Sequence, residues 1–385
     1  MSHVVIAPDK FKGSLTAASV AARVAAGLRS VSPGIQTVEL PVADGGEGTV
    51  DAAVAAGYQR VETEVSGPTG QRVTAAFGLR DGTAVIEAAQ ACGLSLLASL
   101  TGGQLAPLTA TSRGVGELIA DAIETGARRI VLGIGGVATN DGGAGLAQAL
   151  GARLRDDAGH ELPPGGGALA RLSKVDLAGL RDLSGTEILV ASDVDNPLLG
   201  PNGAAAVYGP QKGASPSDVR VLDAALARWA DMAEDAAGVR VRDLPGAGAA
   251  GGLGFAALLL LRAALRPGIE LLLDMLGFAA QLDGADLVIT GEGSLDEQTL
   301  YGKTPVGVAR AAAAHQPPVP VVAVCGVCSL SDAELRAAGI AATYPLSDIE
   351  PDAARCIAEA GPLTEQLSAR IAADWKHPPA KNKPR

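Results

Sequence analysis

The chain has 385 residues, of which 48% are hydrophobic, 3% aromatic and 19% charged, with a formal net charge of −11. Single hydrophobic cores rarely serve more than ~250–300 residues, so two domains are expected, and the apolar content excludes a disordered chain. The acidic balance argues against nucleic acid as a partner, because phosphate backbones demand a basic surface.

The first elements read strand, loop, helix: "HVVIAPD", then "KFKGS", then "LTAASVAARVAAGLRSV". A second strand, "TVELPVAD", passes through "GGEGT" into the helical "VDAAVAAG". These strands are short apolar runs, as in a parallel sheet covered on both faces. From about Gly67 to Gly284 the texture changes, with alternating strands "QRVTAAFGL" and "GTAVIEAA", then a glycine-rich loop, then "ILVASDVDNPLLGPNGAAAVYGPQKGA". Within this stretch "FAALLLLRAAL" (Phe255–Leu265) is the longest apolar run. It is too short for a membrane span and is interrupted by Arg262. The first pattern then returns: strand "ADLVITGEG", helix "TPVGVARAAAAH", strand "VPVVAVCGV", helix "SDAELRAAG" and strand "AATYPLS". The expected architecture is therefore α/β, with a five-strand doubly wound parallel-sheet domain at residues 1–66 and 285–375. A second α/β domain at 67–284 is inserted into it, and the cleft between two such domains is the expected ligand site. The basic, Pro-rich residues 376–385 are expected to be disordered. The N-terminus reads as a strand, not as a signal peptide, so the expected location is cytoplasmic, with no membrane partner.

Several motifs are tested and set aside. "CGVC" (Cys325–Cys328) matches C-x-x-C, but no second pair completes a zinc site, and a strand end in a reducing compartment explains it. "GAGAAG" (Gly246–Gly251) matches G-x-G-x-x-G, but "IELLLDMLGFAAQL" beyond it is helical where a dinucleotide fold needs a strand. "GEGSLDEQTLYGKT" ends in GKT with the preceding glycine too distant for a P-loop, and there is no G-x-S-x-G elbow.

The glycine-rich loop "GIGGVATNDGGAG" (Gly133–Gly145) places six glycines between a strand-like and a helix-like run. Such density suits either a tight connection or a backbone that closely approaches a ligand. Only 8 of the 31 basic residues are lysines. Lys10, Lys12, Lys212 and Lys303 lie in glycine-bearing loops, where a compact charge on a flexible stem suits phosphate. Carboxylates sit at strand ends or just beyond: Asp9, Asp44, Glu47, Glu292 and Asp296, with Asp193 and Asp195, followed by the amide Asn196, in "ASDVDNPLLG". Ligands of open parallel sheets bind beyond the carboxyl ends of the strands, and acids there can hold Mg²⁺ or take a hydroxyl proton. That inventory suits phosphoryl transfer.

Eight collinear segments, "APDKFKGSLTA", "PVADGGEGT", "TSRGVGELI", "GIGGVATNDGGAG", "DVDNPLLGPNGA", "GPQKGA", "GAGAAGGLG" and "ITGEGSLDEQTLYGKTPVGVA", resemble the bacterial glycerate kinase family from about Val4 to Leu363. The resemblance implies ATP-dependent phosphorylation of D-glycerate, usually to 2-phosphoglycerate, and a flavodoxin-like domain split by an insert; the alternatives are transfer to the 3-hydroxyl or to a related small hydroxy acid, and a non-catalytic small-acid-binding module. One departure is visible: the glycine loop of this family usually carries a serine where Val137 stands. Within that expectation Lys10, Asp44, Asp193 and Lys303 are assigned to catalysis. Lys12, Gly45, Gly46, Gly135, Gly136, Thr139, Asn140, Asp141, Asn196, Lys212, Gly291 and Ser294 are assigned to ATP or substrate. Glu47, Glu292 and Asp296 are assigned to Mg²⁺. The expected partners are ATP and D-glycerate, and the expected assembly is a monomer or homodimer.

Overall fold

A computed structural model describes residues 3–376. Its strands in chain order are β1 (His3–Pro8), β2 (Gln36–Glu39), β3 (Gln59–Ser66), β4 (Arg72–Arg80), β5 (Thr83–Glu87), β6 (Arg129–Gly133), β7 (Arg153–Arg155), β8 (Lys174–Asp176), β9 (Glu187–Ala191), β10 (Ala264–Arg266), β11 (Leu287–Leu295), β12 (Val321–Cys328) and β13 (Ala342–Pro345). The chain divides into two compact units, Met1–Asp44 with Ile269–Arg385, and Gly45–Gly268. The expectation of disorder at 376–385 falls, beyond Lys376, outside the described residues.

The first unit is a five-stranded sheet in the order β13-β12-β11-β1-β2, every pair parallel. Counted within the unit that order is 2-1-3-4-5, the flavodoxin-like arrangement. Val4, Ile6, Leu287, Ile289, Val322 and Val324 pack from one face of the sheet with helices Ala17–Val31 and Ala360–Lys376. Each such buried aliphatic side chain contributes ~1.5–3 kcal/mol. The first helix starts where Thr16 accepts a hydrogen bond from Ser19 N at 3.1 Å. Its Gly27 is required by close approach, since a Cβ there would lie 2.2 Å from Glu365 O. Helix Thr304–Ala314 packs against β11.

The second unit is a six-stranded mixed sheet in the order β10-β9-β6-β5-β4-β3. β10, β9, β6 and β5 are mutually parallel, and β4 and β3 add on antiparallel. Asp81 and Gly82, both at positive φ (49° and 72°), form the tight Asp-Gly turn between β4 and β5. A second core gathers around Trp229, on helix Pro216–Ala237, whose ring meets Phe255 edge-on at 6.2 Å.

The two-domain α/β reading holds, while the observed division falls at 44/45 and 268/269 in place of 66/67 and 284/285. Helix Thr49–Ala55 packs on β4 and β5, and β3, which no motif had marked, is the edge strand paired with β4. At the other junction Ile269 fills the space beside Gly307, in the first unit. Cys325 and Cys328 both lie in β12, three residues apart and so ~10 Å apart in extended chain, and both are free thiols. The element directly before "GAGAAG" is the helix Pro216–Ala237, not a strand. Gly251 of the motif is at φ 69°, and a Cβ there would stand 2.1 Å from Thr139 O, so the motif packs on the glycine loop. Among the described residues no helix is long and apolar enough to cross a membrane.

Candidate active site

In the first unit β1 and β11 are neighbours from which the connections run in opposite directions, the switch point where doubly wound sheets bind ligands. Asp9 follows β1 and is 7% exposed. Its Oδ2 accepts from Thr304 Oγ1 at 3.1 Å, its Oδ1 accepts from Lys10 N at 2.6 Å, and Lys10 Nζ stands 3.7 Å from Oδ1. Burial raises the Asp9 pKa above the usual carboxylate value, Asp44 adds to the rise, and Lys10 opposes it. Val42 N donates to Pro8 O, so the chain after β2 still follows β1 as it approaches Asp44.

Glu292, on β11, is 8% exposed, and Thr299 Oγ1 donates to its Oε1 at 2.5 Å. Burial pushes this carboxyl up to about 7; Thr299 and Lys303 pull it down, and Asp9 and Asp296 push it further up. Asp296 caps the turn Glu297–Leu300 by accepting from Gln298 N at 2.9 Å and Thr299 N at 3.3 Å. Lys303, the N-cap residue of helix Thr304–Ala314, places Nζ 4.0 Å from Asp296 Oδ1. The Phe11–Leu15 loop lies over Gly293, with Lys12 N 3.3 Å from a Cβ built there. Lys12 and Ser294 are exposed. Gly291 is explained by the sheet alone, since its Cβ would sit 2.3 Å from Val324 O.

In the second unit the loop Gly45–Glu47 crosses the carboxyl ends of β6 and β9. Gly135 N donates to Gly45 O at 3.1 Å, and Cβ atoms on Gly133 and Gly135 would come within 2.4 Å of Gly45 O and 2.8 Å of Gly46 Cα. Gly45 itself sits at φ 92° against Ala191. Glu47 Oε1 accepts from Ser95 Oγ at 2.7 Å, and exposed Gly136, at φ 72°, lies beside the Glu47 side chain. Buried Glu87, at the end of β5, accepts from Gly48 N at 3.0 Å and Val50 N at 3.3 Å, and burial pushes it up to about 7.

The rest of the glycine loop is buried and bonded within the unit. Thr139, Asn140 and Asp141 are fully buried. Asp141 Oδ2 accepts from Ser112 N (2.8 Å), Ser112 Oγ (2.9 Å), Gly145 N (3.2 Å) and Thr111 Oγ1 (3.3 Å), and its Oδ1 accepts from Gly143 N (3.1 Å). Thr139 Oγ1 donates to Ala110 O, and Asn140 Nδ2 donates to Pro107 O. Lys212, assigned to phosphate, is 3% exposed, and its Nζ donates to Thr139 O at 2.6 Å. Burial lowers its pKa to about 8, against the influence of Cys92 and Asp141. These four residues hold the loop together from inside, while Asn140 Oδ1 is buried without a hydrogen-bond partner among the described residues. Val137 is 4% exposed in the apolar core, so a hydroxyl is not called for at this position.

Asp193 and Asn196 lie outside that buried set, Asp193 exposed and Asn196 half-buried. Asn196 spans its own loop, with Nδ2 on Asn202 O at 2.8 Å and Oδ1 accepting from Tyr208 Oη at 2.7 Å. Asp193 Oδ1 accepts from Gly268 N at 2.8 Å. Glu47 belongs to the second unit and Glu292 and Asp296 to the first. Among the described residues no three His, Cys, Asp or Glu side chains are arranged as a metal cage. Residues that gained importance from the structure are Asp9, Glu87, Ser95, Thr299 and Thr304. For Asp9 and Glu87 the signal was available, an acid at the end of an apolar strand.

A flavodoxin-like sheet with two lysines, paired carboxylates and a helix N-terminus at its switch point defines an α/β enzyme suited to anionic, phosphate-bearing substrates. The chain belongs to the glycerate kinase family, whose model matches residues 4–376. It is 50% identical over 347 residues to a glycerate kinase of Bacillus subtilis (strain 168), covering 89% of this chain and 90% of that one. It is 49% identical over 321 residues to a glycerate 2-kinase of Escherichia coli (strain K12), covering 82% and 83%. A crystal structure from Salmonella typhimurium LT2, described as a candidate glycerate kinase 2, superposes with a TM-score of 0.84 at 44% identity, covering 97% and 98% of the two chains.

Proposed function

We propose that this enzyme transfers the terminal phosphoryl group of ATP to the 2-hydroxyl of D-glycerate. Family membership supports the kinase activity, and the 49% identity to a glycerate 2-kinase supports the position of transfer. The observation that carries the site assignment is the joining of Asp9, Lys10, Glu292, Asp296, Lys303 and Thr304 at the β1/β11 switch point.

Lys10 and Lys303 neutralise phosphate charge there, and the N-terminus of helix Thr304–Ala314 adds its partial positive charge. The donor set suits Mg²⁺, which takes one or two carboxylates and leaves its remaining positions to phosphate oxygens and water. Glu292 and Asp296 would hold it, with Thr299 fixing one oxygen of Glu292 and so orienting the other. Bound there, Mg²⁺ would supply charge neutralisation on the phosphates. Asp44, less buried than Asp9, accepts the proton of the substrate hydroxyl. In the second unit exposed Gly136, with the Glu47 side chain beside it and Ser95 on Glu47, offers its backbone N–H to an anion. The four free thiols fit a cytoplasmic enzyme, monomer or homodimer. The test is ADP release in the presence of Mg²⁺. Release that depends on D-glycerate supports the proposal, and release that ignores it refutes it.

A further inference from the structure

A cavity of about 570 Å³ on the second unit is lined by none of the residues given a role above. Its walls include Arg113, Gln148, Gly151, Arg153 and Glu161. We infer that it is a binding site for a small dianion carrying phosphate or two carboxylates, gripped by Arg113 and Arg153.

The first observation is charge. In a chain of net charge −11, Arg153 is exposed and its side chain makes no ion pair or hydrogen bond among the described residues. Arg113 uses only Nε, on Glu117 Oε1 at 3.1 Å, leaving its outer nitrogens for the cavity. Glu117 is already shared, since it also accepts from Ser66 N at 2.6 Å, Ser66 Oγ at 2.9 Å and Arg72 Nη1 at 3.1 Å. The one carboxylate in the wall, Glu161, is taken by Arg155 at 3.2 Å. The pocket is thus positive on balance, and paired guanidinium groups match phosphate and carboxylate oxygens.

The second observation is construction. Gln148 is held in place by Nε2 on Leu162 O at 3.2 Å. Gly151, at φ 105°, lets the backbone of Gly179 approach, because a Cβ would stand 2.1 Å from Gly179 O. The volume lies in the range of small-molecule pockets.

The site is also wired to the glycine loop. Ser112 and Thr111, immediately before Arg113, both donate to Asp141, and Leu146 N, on the helix carrying Gln148, donates to Ser112 Oγ at 3.0 Å. An anion bridging Arg113 and Arg153 braces the elements that Asp141 ties together. Trp229 reports on that hub, since its Nε1 donates to Gly142 O at 3.0 Å.

The test uses the full chain with Trp375→Phe, so that Trp229 is the only fluorophore of its kind. It is titrated separately with inorganic phosphate and with succinate at low ionic strength. Saturable binding of either probe, weakened roughly tenfold or more by Arg153→Ala and unchanged by Lys303→Ala, is the expected result. Arg153→Lys should recover only part of the affinity, because an ammonium lacks the bidentate fork. Arg153 is exposed, so a wild-type melting curve for its variants separates lost binding from lost fold. Absence of saturable binding, or binding abolished by Lys303→Ala and indifferent to Arg153→Ala, overturns the inference.

Discussion

Asp141→Asn decides whether the glycine loop is scaffold or catalyst. The carboxylate accepts five hydrogen bonds, from Ser112 N, Ser112 Oγ, Gly145 N, Thr111 Oγ1 and Gly143 N, in a fully buried setting. An amide has one oxygen. In its best orientation that oxygen faces Ser112 and Gly145, and the amide nitrogen then confronts the Gly143 N–H. One buried donor left without an acceptor costs about 1–3 kcal/mol, and the remaining bonds lose their charge assistance. The total comes to about 3 kcal/mol. For a unit of roughly 200 residues each kcal/mol shifts melting by roughly 2–4 °C, so a drop of ~6–12 °C is expected. Circular dichroism melting gives the stability, and initial rates well below the melting range give kcat. A clear loss of melting temperature with kcat within about threefold of wild type is the expected pair. A variant that melts like wild type yet loses about a hundredfold in kcat would refute this reasoning and place Asp141 on the substrate.

Three other substitutions probe the account at separate points. Lys303→Ala should lower kcat by orders of magnitude while leaving the melting curve unchanged, since its ammonium is only 4.0 Å from Asp296 and part-exposed; wild-type turnover removes it from the site. Glu87→Gln should stabilise the protein in a pH-dependent way. The folded carboxyl is raised to about 7 from 4.5, so its charged form is disfavoured by folding. The penalty is absent below pH 4.5, grows as pH rises, and is complete above 7, where the variant should be more stable by up to about 3 kcal/mol. Denaturant melts at pH 4 and pH 8 check this, and a gap of equal size at both would contradict it. Val137→Ser puts a hydroxyl into the core around Leu132 and Cys92 and should destabilise by about 1–3 kcal/mol with little effect on kcat; a rise in kcat would show that the hydroxyl reaches the substrate.

Much of the fold was legible because parallel strands buried on both faces are written as unbroken apolar runs, and β1, β11 and β12 all read that way. β3 was not, because an edge strand with alternate charges, "QRVETEVS", carries little apolar signal. The strand-end acids were legible through the same rule that places ligands in such sheets. What holds them was not, since Asp9 and Thr304 are separated by 295 positions. The glycine loop is ambiguous in sequence for a physical reason. A glycine records that a side chain is excluded, not what excludes it. At Gly133 and Gly135 the excluding group is another stretch of backbone, and at Gly143 and Gly252 it is a neighbouring helix or loop. Lys212 is ambiguous likewise, because a lysine in "GPQKGA" reads as a charge offered to phosphate, and the sequence carries no sign that its ammonium is buried on a carbonyl.

Phosphorus NMR of the product formed from D-glycerate and Mg·ATP tests the central claim most directly. Transfer to the 2-hydroxyl leaves phosphorus coupled to the single proton on C2, and the account predicts that doublet as the sole new phosphomonoester. A triplet from phosphorus on the C3 methylene, or no new ester from folded protein, would contradict it.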